Sequence, residues 1–195
     1  MPLIAFNKPY GVVSQFTPEG RWQGLSDYLT LPEHRVAGRL DADSEGLLLL
    51  TDDGRLQARI AEPRHKLPKC YWAQVEGVPD EEALARLRAG PALNDGPTRS
   101  CEVVVLPDNV ETNRLWPRNP PIRFRKSIPT AWLAITLTEG RNRQVKRMCA
   151  AVGLPVLRLV RVSIGGISLF ELNQGDGLSL GQSVAVPAPS LNRIL

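Results

Sequence analysis

Cysteine is scarce in this chain. Cys70, Cys101 and Cys149 are three, an odd number, and lie far apart. None forms a CxxC pair, and only His34 and His65 are available to join them. A structural zinc site needs about four such ligands, usually in close pairs, so no metal site is expected and the thiols read as buried and reduced. Long apolar runs are missing too. No window approaches the roughly 18 consecutive apolar residues of a membrane span. The start, MPLIAFNKPYG, shows no basic leader followed by an apolar stretch and a small-residue cleavage site. A cytoplasmic protein with no membrane association is expected.

Acid is scarce in one region only. Residues 1 to 100 carry 12 Lys+Arg against 14 Asp+Glu, whereas residues 101 to 195 carry 12 against 6. Between Arg114 and Arg161 there are 11 basic residues and one acid, Glu139. A field that one-sided attracts polyanions, and nucleic acid is the natural partner. Repeats and low-complexity segments are absent. A chain of 195 residues, 43% hydrophobic, can bury one substantial core or two small lobes.

The periodicities predict short strands and separate helices. LIAFNKPYGVVSQF reads as two short strands broken at Lys8-Pro9-Tyr10-Gly11, and Gly24 to Leu29 as one short helix. The run LLLLT, residues 47 to 51, is bounded by Gly46 and Asp52-Asp53-Gly54, which suits a buried strand. DGRLQARIAEP reads as a helix, with Leu56 and Ile60 four apart and Pro63 as its stop. KCYWAQVEG, CEVVVL, AWLAITLT and VLRLVRVSIGGISL read as strands, and PDEEALARLRAG as a helix with acids in its first turn. In NRQVKRMCAAVG the residues Val145, Met148, Cys149 and Val152 make a helical apolar stripe, with Arg143, Lys146 and Arg147 on another face. Residues 111 to 130 hold four prolines, five basic residues, Trp116 and Phe124, and read as a long ordered arm. The expected class is α+β, a largely antiparallel mixed sheet in two lobes.

The chemistry centres on GRLDADSEGLLLLT, residues 38 to 51, where Asp41, Asp43 and Glu45 alternate. An EF-hand loop opens in a similar way, but it needs a helix on each side, and Pro32 and Gly38 interrupt the residues before Asp41. A glycosidase pair would need two carboxyls across one bond, and the basic second half does not suit a neutral sugar. The third reading is a single carboxylate nucleophile that forms a covalent intermediate and is kept ionised by a nearby cation. Asp43 and Glu45 then read as loop-surface residues, or as residues that hold the turn.

FNKPYGVVSQ, GRLDADSEGLLLLTDDG, KCYWAQVEG and EGRNRQVKRM, in that order, resemble the pseudouridine synthases of the small-subunit RNA type, the RsuA family. The resemblance covers nearly the whole chain. It implies the pseudouridine synthase fold with a central cleft, and a cofactor-free isomerase acting on ribosomal RNA, with the large-subunit (23S) RNA as substrate. By the same resemblance Asp41 is the nucleophile, Tyr71 stacks on the uracil, and Lys146 is the cationic partner, with Arg147 second. Arg39 fills the gap left by the extruded base. On composition, Trp116, Arg118, Arg123, Phe124 and Arg125 of the arm, with Arg143 and Arg147, are expected to meet RNA. Considered alone, a strand tyrosine is a core residue and a helical lysine a surface charge; only their combination with Asp41 lifts them. Two departures from the family stand out. Many relatives carry a small S4-type RNA-binding domain first, whereas here residues 1–195 read as one catalytic domain, so affinity is expected from that domain and its arm. Many relatives have Arg at the position of Lys146, and Lys keeps the charge but loses the bidentate fork. A monomer is expected. The alternative is a non-catalytic RNA-binding or ribosome-assembly protein on the same fold.

Overall fold

The computed structural model describes residues 3–123, 125 and 127–194. The strands are β1 (Ile4–Lys8), β2 (Arg35–Ala37), β3 (Glu45–Thr51), β4 (Lys69–Glu76), β5 (Ala92–Leu93), β6 (Gly96–Pro97), β7 (Glu102–Leu106), β8 (Thr130–Leu137), β9 (Val156–Ile164), β10 (Ile167–Ser168) and β11 (Ser183–Ala185). The helices are α1 (Gly54–Ala61), α2 (Glu81–Ala89), α3 (Val110–Arg114), α4 (Gln144–Ala151) and α5 (Ala188–Leu191). The class is α+β; β1 pairs antiparallel with β11 and β3, β2 with β3, β7 with β8 and β9 with β10, while β3 runs parallel to β9. None of the described helices is long and apolar enough to cross a membrane.

The chain divides into two compact units. The first comprises Met1–Lys69 and Val160–Leu195, the second Cys70–Leu159. In the first, β3 is central. It pairs with β1 (Lys8 opposite Gly46), with β2 (Ala37 opposite Leu49) and, in parallel, with β9 (Gly46 beside Arg161). Every residue of β3 is buried, so its continuous apolar run has cover on both faces. Helix α1 starts where Asp53 accepts from the amides of Arg55 and Leu56, and it buries Leu56 and Ile60. The expected second strand after Gly11 is not formed. Val12 makes only an isolated bridge to Gln23, because the chain is claimed by turns on both sides.

In the second unit, α2 is capped by Asp80 and ends at Gly90, whose φ is 88°. A Cβ at Gly90 would stand 2.6 Å from the carbonyl oxygens of Thr98 and Arg99, so only glycine fits there. Its core gathers Ala73 and Val75 of β4, Leu84 and Leu87 of α2, Leu133, Ile135 and Leu137 of β8, and Val145, Met148 and Cys149 of α4. The stripe on α4 is that of the sequence pattern, and in β8 Trp132 is buried beside Leu133, Ile135 and Leu137. The arm differs from a pure loop in its first residues, Val110–Arg114, which form α3.

Candidate active site

In the first unit, residues 38 to 44 connect β2 to β3 and carry Asp41 at their middle. This connection has no regular structure, and its backbone is held by donors from elsewhere. Arg161 donates from Nη2 to the Gly38 carbonyl (2.8 Å), from Nη1 to that of Arg39 (3.3 Å) and from Nε to that of Leu47 (2.9 Å). The Ser14 hydroxyl donates to the Leu40 carbonyl at 2.6 Å and accepts from the Leu40 amide at 2.9 Å. The Gly11 amide donates to the Ala42 carbonyl at 2.8 Å, and the Ser44 amide closes a turn onto the Asp41 carbonyl at 3.1 Å. Both neighbours of Asp41 are therefore tied at the backbone, which fixes where its half-buried side chain emerges. Gly46 is required by the same geometry. A Cβ there would meet the Arg161 carbonyl oxygen at 2.4 Å, and its φ is +100°.

Two cations offset the loop's carboxylates. Arg161 is 1% exposed and Lys8 fully buried. The Lys8 ammonium donates to the carbonyls of Pro9 (3.0 Å) and Val12 (2.7 Å). Burial lowers its pKa to about 7; Glu45, Asp43 and Asp41 pull it back up, and Arg161 pushes it down. Glu45 is 2% exposed and opens β3, so it is not the loop-surface residue expected from sequence. Its field on Lys8 is the largest of the three carboxylates. A twelve-residue calcium loop from Asp41 would run through the whole of β3, and strand β2 rather than a helix precedes it, which disposes of the EF-hand reading. Arg39 is exposed, directly before Leu40 and Asp41.

In the second unit, Tyr71 is the third residue of β4, half-buried at the border of the core. Helix α4 begins at Arg143, an exposed residue in the left-handed region (φ 49°). Its first residue, Gln144, accepts from the Arg141 amide at 2.9 Å and donates to Glu139 at 2.5 Å, and Glu139 also accepts from the Arg99 amide. Glu139, the single acid of the basic stretch, thus serves the helix start. Lys146 is half-buried one turn in. Arg147 holds Asp95 with both guanidinium nitrogens, at 2.9 and 3.1 Å, and that pairing keeps the Asp95 carboxyl below the usual range. Arg147 therefore already has a carboxylate partner within its own unit.

The arm is anchored by Arg158 of β9, which is 2% exposed. It donates from Nη1 to Glu111 (2.8 Å) and from Nη2 to the Trp116 carbonyl (2.9 Å), and its guanidinium lies 5.9 Å from the centre of the Trp116 ring. Trp116, expected to meet RNA, is thus half-buried and engaged in holding the arm. Arg125 pairs with Glu76 at 3.3 Å, Arg123 is exposed and Arg118 half-buried. Phe124 lies outside the described residues. Arg158 and Arg161 counted toward the one-sided basic field in sequence, yet both are buried in structural roles. The sequence offered one signal for them: they stand among Leu157, Leu159, Val160 and Val162 inside an otherwise apolar strand. Lys8 and Ser14 were not singled out for chemistry, although FNKPYG belongs to the quoted resemblance.

A family model described as RNA pseudouridylate synthase matches residues 2–151. A ribosomal large subunit pseudouridine synthase E from Xanthomonas axonopodis pv. citri (strain 306) is 58% identical over 165 residues, covering 84% of this chain and 85% of that one. One from Vibrio vulnificus (strain CMCP6) is 54% identical over 175 residues, covering 89% and 73%. A pseudouridylate synthase crystal structure superposes with a TM-score of 0.79 at 27% identity, over 100% of this chain and 74% of that chain. Human RNA pseudouridylate synthase domain containing 1 is 15% identical with a TM-score of 0.55, over 96% and 80%, and shares the fold.

Proposed function

Because the chain belongs to the RNA pseudouridylate synthase family, and so is an isomerase, we propose that it converts one specific uridine of large-subunit ribosomal RNA to pseudouridine with Asp41 as nucleophile. The observation that carries the substrate is the identity of more than half to relatives named for the large subunit, over most of both chains. The observation that supports Asp41 is the loop itself: its flanking carbonyls are held by Arg161, Ser14 and Gly11, so the carboxylate is preorganised. The reaction breaks the bond between ribose and uracil N1 and makes one to C5. The C5 proton is lost and N1 gains one, so atoms balance and no redox partner is needed.

A base taken from its stack costs a few kcal/mol to extrude. Arg39, exposed beside the nucleophile's loop, fills the vacated place. Tyr71 stacks on the uracil. Lys146 supplies positive charge to the reacting centre, since Arg147 is committed to Asp95. Arg143, Arg118 and Arg123 contact phosphate.

Single-turnover pseudouridine formation on a 23S rRNA fragment tests this. Asp41→Asn abolishes conversion and leaves RNA affinity within a few-fold; a variant that isomerises at the normal rate refutes the assignment. Lys146→Met lowers the rate at saturating RNA, while Lys146→Arg retains much of the rate. If only the half-saturating RNA concentration changed in Lys146→Met, Lys146 would be an RNA-binding residue instead.

A further inference from the structure

A cavity of about 480 Å³ lies between the arm and β4, lined wholly by residues of the second unit. That volume suits a single small ligand such as one nucleoside. Its lining is unusual in its division of labour. Ile122, Ile128 and Leu157 make apolar walls. Arg118 and Arg123 bring positive charge from the arm. Gln74 and Glu76, two apart on β4 and so on one face of that strand, bring hydrogen-bond acceptors. The Gln74 Oε1 atom is buried with no hydrogen-bond partner among the described residues. Glu76 meets Arg125 at 3.3 Å through one carboxylate oxygen, and a carboxylate offers about four acceptor sites, so capacity remains.

These features select the ligand. A free inorganic anion would use the arginines alone and leave the buried Gln74 Oε1 atom, itself an acceptor, without a partner. A purely apolar ligand would leave the buried Gln74 Oε1 atom unsatisfied. An unpaired nucleobase fits, with a flat apolar body between aliphatic walls, a polar edge, and a phosphate that the arginines can hold. Among the bases, acceptors on the protein call for adjacent donors on the ligand. Uracil has one ring donor between two carbonyls. Adenine and cytosine each have one amino group beside an acceptor nitrogen. Guanine has two donors side by side, N1–H and the N2 amino group, matched to a carboxylate, and its O6 accepts from an arginine.

We infer that this cavity takes the base of an unpaired guanosine of the RNA, recognised through Glu76 and Gln74 with the arm's arginines on its phosphate. The inference rests on the reading of the chain as an RNA-modifying enzyme and adds a second point of sequence recognition, separate from the uridine that reacts.

The test is binding of 5′-labelled pentaribonucleotides to the whole protein by fluorescence anisotropy. UUGUU is compared with UUAUU, UUCUU and the same strand carrying hypoxanthine, which lacks only the N2 amino group. UUGUU is expected to bind about tenfold more tightly than the hypoxanthine strand, and no other strand to match it. Glu76→Gln, which places an amide NH₂ against the guanine donors, should erase that difference. In the unaltered protein, the side-chain amide resonances of Gln74 should shift on adding UUGUU and not on adding UUAUU. Equal affinities for the guanine and hypoxanthine strands, a preference that survives Glu76→Gln, or unmoved Gln74 resonances each overturn the inference, even where the protein makes pseudouridine normally. Conversely, a guanine preference that disappears in Glu76→Gln supports it, even where no rRNA uridine is converted and the proposed reaction fails.

Discussion

Replacing Arg161 by Met separates the scaffold of the loop that carries the proposed nucleophile, Asp41, from its chemistry. The wild-type guanidinium holds three backbone carbonyls, at 2.8, 2.9 and 3.3 Å, and is 1% exposed. A hydrogen bond from a charged donor contributes about 1.5 to 3 kcal/mol, and methionine can satisfy none of these carbonyls. Three bonds at the low end give about 4.5 kcal/mol, and partial relaxation of the loop toward water brings the expected loss to about 4 kcal/mol. For a chain of 195 residues, each kcal/mol moves the melting temperature by about 2 to 4 °C, so Arg161→Met should melt roughly 8 to 16 °C lower. Two of the freed carbonyls, on Gly38 and Arg39, stand within three residues of Asp41. The single-turnover rate at saturating RNA should therefore fall by at least about tenfold, because displacement of a reacting group by about 1 Å can cost a hundredfold. Arg161→Lys keeps the charge but not the fork, and should fall between wild type and Met in both measurements. The assays are calorimetry and rapid-quench pseudouridine formation. A Met variant that melts within about 3 °C of wild type and reacts at the wild-type rate would show that the three carbonyls are not what positions the loop.

Three other outcomes follow from the same structure. The folded-state pKa of Lys8 is about 7 against 10.5 for an exposed lysine, so between those values the unfolded chain binds a proton that the native chain does not. Stability should therefore rise with pH across that window by up to about 1.4 kcal/mol per unit and be level below it; urea midpoints from pH ~7.5 to ~9.5 check this, with Lys8→Met expected to flatten the rise. Burial pushes the thiol of Cys101 up to about 11 and that of Cys149 up to about 12, so neither should react with a disulfide reagent near pH ~8 until urea unfolds the chain. Fast labelling of Cys149 in the native protein would contradict its placement in the core. Neutralising Arg118, Arg123 and Arg125 together should flatten the salt dependence of RNA binding by about 0.7 log units for each phosphate the arm ceases to neutralise, and an unchanged slope would assign the arm to folding alone.

Local patterns carried most of the secondary structure into view. LLLLT became buried β3, Leu56 and Ile60 face inward from α1, and Val145, Met148, Cys149 and Val152 are all buried. Each of those inferences needs only the chain's own period. What was not legible depends on pairs distant in sequence. Ser14 meets Leu40 across 26 residues, and Arg161 meets Arg39 across 122. Read in sequence, Arg161 is one more cation in a basic stretch; only folding shows that it ends inside a sheet beneath the GRLD loop. The same holds for Glu45. Its sequence context suggested a loop-surface residue or one that holds the turn, but it opens β3 and is buried near Lys8. Trp116 was grouped with the arm's RNA-binding residues because aromatic and basic residues interleave there, and nothing local announced that Arg158 would occupy it.

The division of the chain into units has a consequence for biosynthesis. The first unit is written in two instalments, residues 1–69 and 160–195, with the whole second unit between them. β3 waits for β9, and β1 waits for β11. At about 5 to 20 residues per second, a ribosome takes roughly 5 to 20 s to travel from Lys69 to Val160. During that interval Cys70–Leu159, a continuous segment with its own core, can fold, whereas residues 38 to 44 have no Arg161 to hold them. The loop that carries Asp41 is thus assembled late in translation, after the segment bearing the arm, so a nascent chain holds a folded arm before it holds an ordered Asp41.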